Sequence, residues 1–165
     1  MADPYKWYDV SSREALLRTA RRGSRWFYWI AGLSLVNTLL YYGGAPIRLA
    51  LGLGFTQLID VVVGGIFPQL HYLSLIIDIV IAAAFVGFGY LSGHGEISAF
   101  AVGLVLYVVD GLLYVGLMVL GRTPSGIVAI IWHGVAIYFF WKGLQAAREL
   151  KALPPEVPAT PQTGL

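Results

Sequence analysis

Residues 26–42, 72–92, 97–120 and 126–142 are long apolar runs, and together they decide what solvent this chain folds in. The charged residues within them are Asp78, Asp110 and, at the very end of the last run, Lys142. A helix needs about 20 such residues to cross the hydrocarbon core of a bilayer, and about 17 is the lower limit. Inside lipid the backbone must satisfy its own N–H and C=O groups, which a helix does and an open strand does not. Composition agrees, with 12% charged residues and a mean hydropathy of +0.72, where a water-soluble domain carries about 25% charge. The expected fold class is therefore an all-α integral membrane protein with a four-transmembrane-helix bundle. Trp26, Tyr28, Trp29, Tyr41, Tyr42, Tyr72, Tyr90, Tyr138 and Trp141 fall at the ends of the runs, where amphipathic rings sit at headgroup level.

Residues 49–67 are apolar on average but interrupted by Gly52, Gly54, Gly64 and Gly65 and bracketed by Pro46 and Pro68. Thr56, Gln57 and Asp60 share one helical face, opposite Phe55, Ile59, Val62 and Val63. An Asp at the bilayer midplane costs about 2.5–3.5 kcal/mol on insertion scales. That favours an interfacial or re-entrant helix over a fifth span. The basic residues decide between the two topologies. With four spans, nine of them lie inside (Lys6, Arg13, Arg18, Arg21, Arg22, Arg25, Lys142, Arg148, Lys151) and two outside (Arg48, Arg122). With five spans the division is seven against four. Nine to two obeys the positive-inside rule better and puts both termini in the cytoplasm, with the chain in a plasma membrane such as the bacterial inner membrane.

Three regions follow. Residues 1–25 form a cytoplasmic segment with a basic amphipathic helix over 11–25, opened by Ser11 and Glu14 at capping-box spacing. Arg18, Arg21, Arg22 and Arg25 recur on one face of it. Such a stripe is a topogenic signal and is also attracted to lipid headgroups. About 25 largely polar residues precede the first apolar run and no small-residue cleavage site follows it, so that run is expected to stay as an anchor. Residues 26–150 form the membrane domain, whose last helix extends into the cytoplasm and stops before Pro154-Pro155. Residues 151–165, rich in Pro and Thr, read as a disordered tail.

An internal repeat overlies this plan. Residues 33–43 (LSLVNTLLYYG) and 106–116 (LYVVDGLLYVG) align without gaps, with six of eleven positions identical. Asn37 falls opposite Asp110, and at the same offset Asp60 falls opposite His133. In the four-span topology both copies run the same way, as in parallel-repeat transporters.

The chemistry within the apolar runs is confined to a few residues. At about 1.5 Å of rise per residue, Asn37, Asp78 and His133 lie roughly 8–10 Å from the outer helix ends, and Asp110 about 16 Å. Asp60 belongs to the re-entrant segment above them. Helical spacing puts Gly103, Tyr107, Asp110, Gly111 and Tyr114 on one face of their span, Ser34, Asn37, Thr38 and Tyr41 on another, and Ser74, Asp78, Ala82 and Phe85 on a third. Ionisable residues at such depth face a bundle interior or a water-filled cavity. Asn37, Asp60, Asp78, Asp110 and His133 are thus the candidate ligand-binding set, with Arg48 and Arg122 at the outer mouth.

The function this favours is binding, and by extension transport, of a small solute or ion in an outward-facing intramembrane polar pocket. The alternative is a structural or accessory protein of a membrane complex, whose polar residues only fix helix packing. A metal-dependent membrane enzyme using Asp60, Asp78, Asp110 and His133 ranks third, since no tight metal motif exists and no serine has a nucleophile's setting. The absence of cysteine removes thiolate metal sites and thiol chemistry. A single histidine within the runs cannot supply bis-histidine haem ligation, and no cofactor is expected. The N-terminal arginines are accounted for by topology, so no nucleic-acid partner is expected. The expected partners are the lipid bilayer and either a second copy of the chain or a larger membrane complex.

Overall fold

The computed structural model describes residues 5–45, 53–56, 58–59, 63, 67, 71–121 and 127–154. All regular structure among them is helical. The four long helices are α1 (Tyr5–Tyr42), α2 (His71–Gly93), α3 (Ile97–Gly121) and α4 (Ile127–Ala152). Three of these, over Tyr72–Gly93, Ile97–Gly116 and Ile127–Ala152, are long and apolar enough to cross a membrane. The apolar half of α1 falls outside that set. Ser34, Asn37, Thr38 and the Trp and Tyr residues at its ends dilute its hydropathy.

Cross-contacts fix an up-down-up-down arrangement. At one end of the bundle Tyr42 meets Ser74, and at the other Gly93 lies beside Ser24. Gly23 crosses Gly143, and Arg13 reaches the carbonyl of Pro154 at 2.5 Å. Helices α1 and α3 therefore run in the same direction. Helix α1 packs on α2 and α4, and α3 on the same two, so α1 and α3 occupy diagonal corners.

Two helix ends are closed by glycine. Gly95 (φ +93°) follows α2, with Glu96 N–H donating to Leu91 O and Gly95 N–H to Ser92 O. Gly44 (φ +70°) follows α1 with the equivalent pair of bonds to Leu40 and Tyr41. This is the Schellman arrangement, in which a left-handed residue turns the chain back over otherwise unpaired carbonyls. Helix α4 ends at Ala152, ahead of Pro154, as the proline pair predicts.

The N-terminal expectation needs correction. No break separates an 11–25 helix from a 26–42 span. Helix α1 is continuous from Tyr5, so Ser11 and Glu14 lie inside it and not at a cap. Residues 5–25 contain no proline, and their single glycine, Gly23, packs against α4. With no helix breaker present, a helix already nucleated simply propagates.

The centre is aromatic. Phe27 is fully buried and stacks on Phe140 at 4.0 Å between centroids. Phe85, Phe88 and Phe100 tilt around it. Gly103 on the diagonal helix leaves the space that the Phe27 ring fills. Outside, the pattern is inverted relative to a water-soluble protein. Leu39, Ile76, Val80, Val105, Leu112, Val119, Val128 and Ile131 are all exposed, as residues of helices that face lipid are.

Candidate functional site

Each face assigned from spacing turns inward. Ser34, Asn37 and Thr38 of α1 are buried, as are Ser74, Asp78, Ala82 and Phe85 of α2, and Gly103, Tyr107, Asp110 and Gly111 of α3. His133 of α4 is buried opposite them. Four elements thus bring polar groups into the half of the bundle that ends at Tyr42.

Asp110 organises the centre of this region. Its Oδ1 accepts the backbone N–H of Phe55 at 2.7 Å, and its Oδ2 accepts that of Gly54 at 3.0 Å. Residues 54–56 are helical, so these are among the N–H groups that a helix start leaves without an internal partner. A carboxylate at that position satisfies two donors and sits at the positive end of the local peptide dipoles. The depth of the contact is informative. Asp110 lies eleven residues before the end of α3, about 16 Å at helical rise. Ser34, whose hydroxyl meets that of Thr56 at 3.1 Å, lies eight residues before the end of α1, about 12 Å. Residues 54–56 therefore lie between the helices, well short of the ends of α1 and α3. Leu53, Gly54 and Thr56 are buried, whereas Phe55 is exposed, in line with the two-faced pattern of this segment.

His133 completes the arrangement. Its Nε2 lies 2.9 Å from Asp110 Oδ2 and its Nδ1 2.8 Å from the carbonyl of Ala129, one turn back on α4. A carbonyl can only accept, so Nδ1 carries a hydrogen. The contact between Nε2 and Oδ2 then also holds one, whether written as imidazolium and carboxylate or as imidazole and carboxylic acid. The pair keeps a proton between α3 and α4, shielded from solvent. The imidazole stacks on Tyr107 at 4.8 Å and packs on Tyr114 at 5.8 Å. Gly111 makes room for it: a Cβ there would stand 3.1 Å from His133 Cδ2.

Asp78 belongs to a neighbouring, separate contact. Thr38 Oγ1 donates to its Oδ2 at 2.9 Å, one turn below the Tyr42–Ser74 hydroxyl pair. These bonds join α1 to α2, while Asp110–His133 joins α3 to α4. Of the five candidate residues, the structure unites Asp110 with His133 and places Asn37 and Asp78 as buried groups on α1 and α2. Asp60, Arg48 and Arg122 lie outside the described residues. Arg18, Arg21, Arg22 and Arg25 are exposed at the opposite end. No three His, Asp or Glu residues converge as a metal would require, among the described residues.

Sequence reasoning missed Gly54 and Phe55 as donors and Ser34–Thr56 as the second fastening. Backbone donors leave no residue-type signal. The hint was Gly54 itself, whose missing side chain lets Tyr114 approach: a Cβ there would lie 3.0 Å from that ring.

No known protein family, characterised protein or solved structure matches this chain. What stands on the structure alone is that regular structure among the described residues is all helical, with three helices there long and apolar enough to span a membrane.

Proposed function

We propose that this chain is a four-span membrane protein that binds, and lets pass, a small polar solute or ion through the half of the bundle ending at Tyr42. On this reading α1 crosses alongside α2 and α4, both termini are cytoplasmic, and the segment around 53–56 enters from the outer face without crossing. The repeat of 33–43 in 106–116 then relates two diagonal helices of the same sense. The observation that carries the reading is the carboxylate of Asp110 holding a helix start deep between spans. Helix starts at such depth are tolerated only where protein or a water-filled cavity surrounds them, and transporters place anions at them. Here an internal carboxylate occupies that place, so the re-entrant segment closes the pathway and the Asp110–His133 pair latches it. Releasing the latch frees two backbone donors and an imidazole for a passing solute.

A second reading has an observation of its own. Asp110 accepts two backbone N–H groups and meets His133, and both nitrogens of His133 are engaged within the chain. A latch so fully satisfied would also serve an accessory protein of a membrane complex, in which it only locks the fold. Purified chain reconstituted in vesicles separates the two. Proton, Na⁺, K⁺ and Cl⁻ fluxes would be followed for the native chain, Asp110→Asn and His133→Gln. The transport reading expects a flux above empty vesicles that both substitutions alter. If no flux appears and the substitutions change stability alone, the accessory reading replaces it.

A further inference from the structure

We infer that the end of the bundle opposite the latch carries a binding site for one anionic phospholipid, its phosphate held by Arg18, Arg22 and Arg25 and flanked by Arg21. A topogenic signal needs positive charges on the correct side of the membrane but not their convergence. Here they converge. The four arginines line one open cleft of about 590 Å³ on α1 together with Thr19 and Ala15. All four are exposed, and none is in an ion pair among the described residues.

The cleft stands on a rigid support. Because α1 is continuous from Tyr5 to Tyr42, the arginine face is fixed relative to the apolar half of the same helix. Arg22 is held further, its guanidinium 5.8 Å from the centre of the Phe139 ring on α4. Immediately beyond, Trp26 stacks on Phe139 at 4.8 Å and tilts against Trp132 at 5.3 Å. These half-buried rings continue the α1–α4 seam away from the arginines and into the apolar zone. A cationic cleft that runs on into an aromatic, lipid-level seam matches a molecule with a phosphate at one end and acyl chains at the other. A free phosphate would use only the first half. Guanidinium groups grip phosphate oxygens through paired N–H bonds, and basic pockets at this level of a membrane bind anionic headgroups.

The test uses the full chain in detergent, with melting temperature and native mass spectrometry read together. Phosphatidylglycerol, phosphatidylcholine and glycerol 3-phosphate are added in turn. The expected result is that phosphatidylglycerol raises the melting temperature by several degrees and leaves one lipid bound, while the other two do neither. Arg18→Gln with Arg22→Gln should lose at least half of the shift and the bound lipid. Arg148→Gln with Lys151→Gln, which removes the same two units of charge from exposed sites on α4, should keep both. Should the double variant fold poorly, Arg22→Lys retains the charge without the paired N–H geometry and should weaken lipid retention at least threefold. The inference is overturned if phosphatidylcholine protects equally, if glycerol 3-phosphate alone reproduces the shift, or if the Arg148→Gln, Lys151→Gln pair loses as much as the cleft variants. Full retention by Arg22→Lys also overturns it, since charge alone would then account for the effect.

Discussion

Replacing Gly103 by alanine adds one methyl group at the most crowded point of the bundle. A Cβ there would stand 2.4 Å from Cε1 and 2.7 Å from Cζ of Phe27. Carbon atoms in contact rest about 3.5–4.0 Å apart, so the ring would have to withdraw by about 1 Å. It has nowhere to go. Phe27 is fully buried, Phe140 is stacked 4.0 Å away, and Phe85, Phe88 and Phe100 close the remaining sides. Overpacking of this kind costs about 1–3 kcal/mol. Removing a glycine from a helix interior offsets up to about 1 kcal/mol of that. A shift of about 1 Å in so closed a site belongs to the upper part of that range, about 2–3 kcal/mol, so the expected net loss is about 1–2 kcal/mol, a factor of about 5–30 in the folded-to-unfolded ratio. Gly134→Ala is the matched control, because no heavy atom lies within 4 Å of its added carbon. Unfolding in micelles followed by circular dichroism measures both. Adding Phe27→Leu to Gly103→Ala should recover part of the loss, and the double-mutant cycle isolates that coupling. If Gly103→Ala is as stable as the native chain, or the cycle shows no coupling, the diagonal packing of Phe27 on α3 is wrong.

Two further substitutions follow from the polar contacts. Asp110→Asn keeps the side-chain shape but turns an acceptor into an amide N–H₂ facing backbone donors, so one of the Gly54 and Phe55 N–H groups loses its partner. That should cost about 1–3 kcal/mol in the same unfolding assay, whereas Asp110→Leu, which removes both acceptors and the partner of His133, should cost about 3–5 kcal/mol. Thr38→Val removes one interhelical bond to Asp78 and should cost about 0.6–1.7 kcal/mol, from the average to the maximum found for such bonds in a membrane bundle, with Thr38→Ser close to neutral.

Much of this arrangement is legible in the residues because periodicity and depth carry it. Gly103, Tyr107, Asp110 and Gly111 recur at helical spacing in an apolar run, and lipid cannot accept an unpaired carboxylate, so an inward face follows before any coordinates exist. By the same logic Asp110 needs a buried polar partner such as Asn37 or His133, since the only lysine or arginine within the runs is Lys142 at the very end of the last one. The structure makes that partner His133. Other features were hidden for definite reasons. Ser11 and Glu14 have the spacing of a helix start, but capping is a local preference of about 1 kcal/mol that continuous helix on either side overrides. The Gly23–Gly143 crossing depends on which two helices become neighbours, and the two glycines on each, Gly23 and Gly32 on α1 and Gly134 and Gly143 on α4, reveal nothing of which pair meets. Phe27 and Phe140 read as generic apolar residues, because a ring in the bundle centre and a ring facing lipid look alike in sequence.

The central claim is that residues 53–56 are held within the bundle by Asp110. The chain has no cysteine, so a single introduced thiol reports on one position without background. Thr56 is suited to it, being 1% exposed and against Ser34. Thr56→Cys would be placed in the otherwise native chain and in Asp110→Asn, reconstituted in vesicles, and treated with a membrane-impermeant maleimide. Labelling of each chain unfolded in SDS sets the full extent. The account predicts that the thiol is protected while Asp110 is intact and reacts at least tenfold faster once Asp110 is asparagine. Rapid labelling with Asp110 intact, or equal protection in both chains, would contradict it.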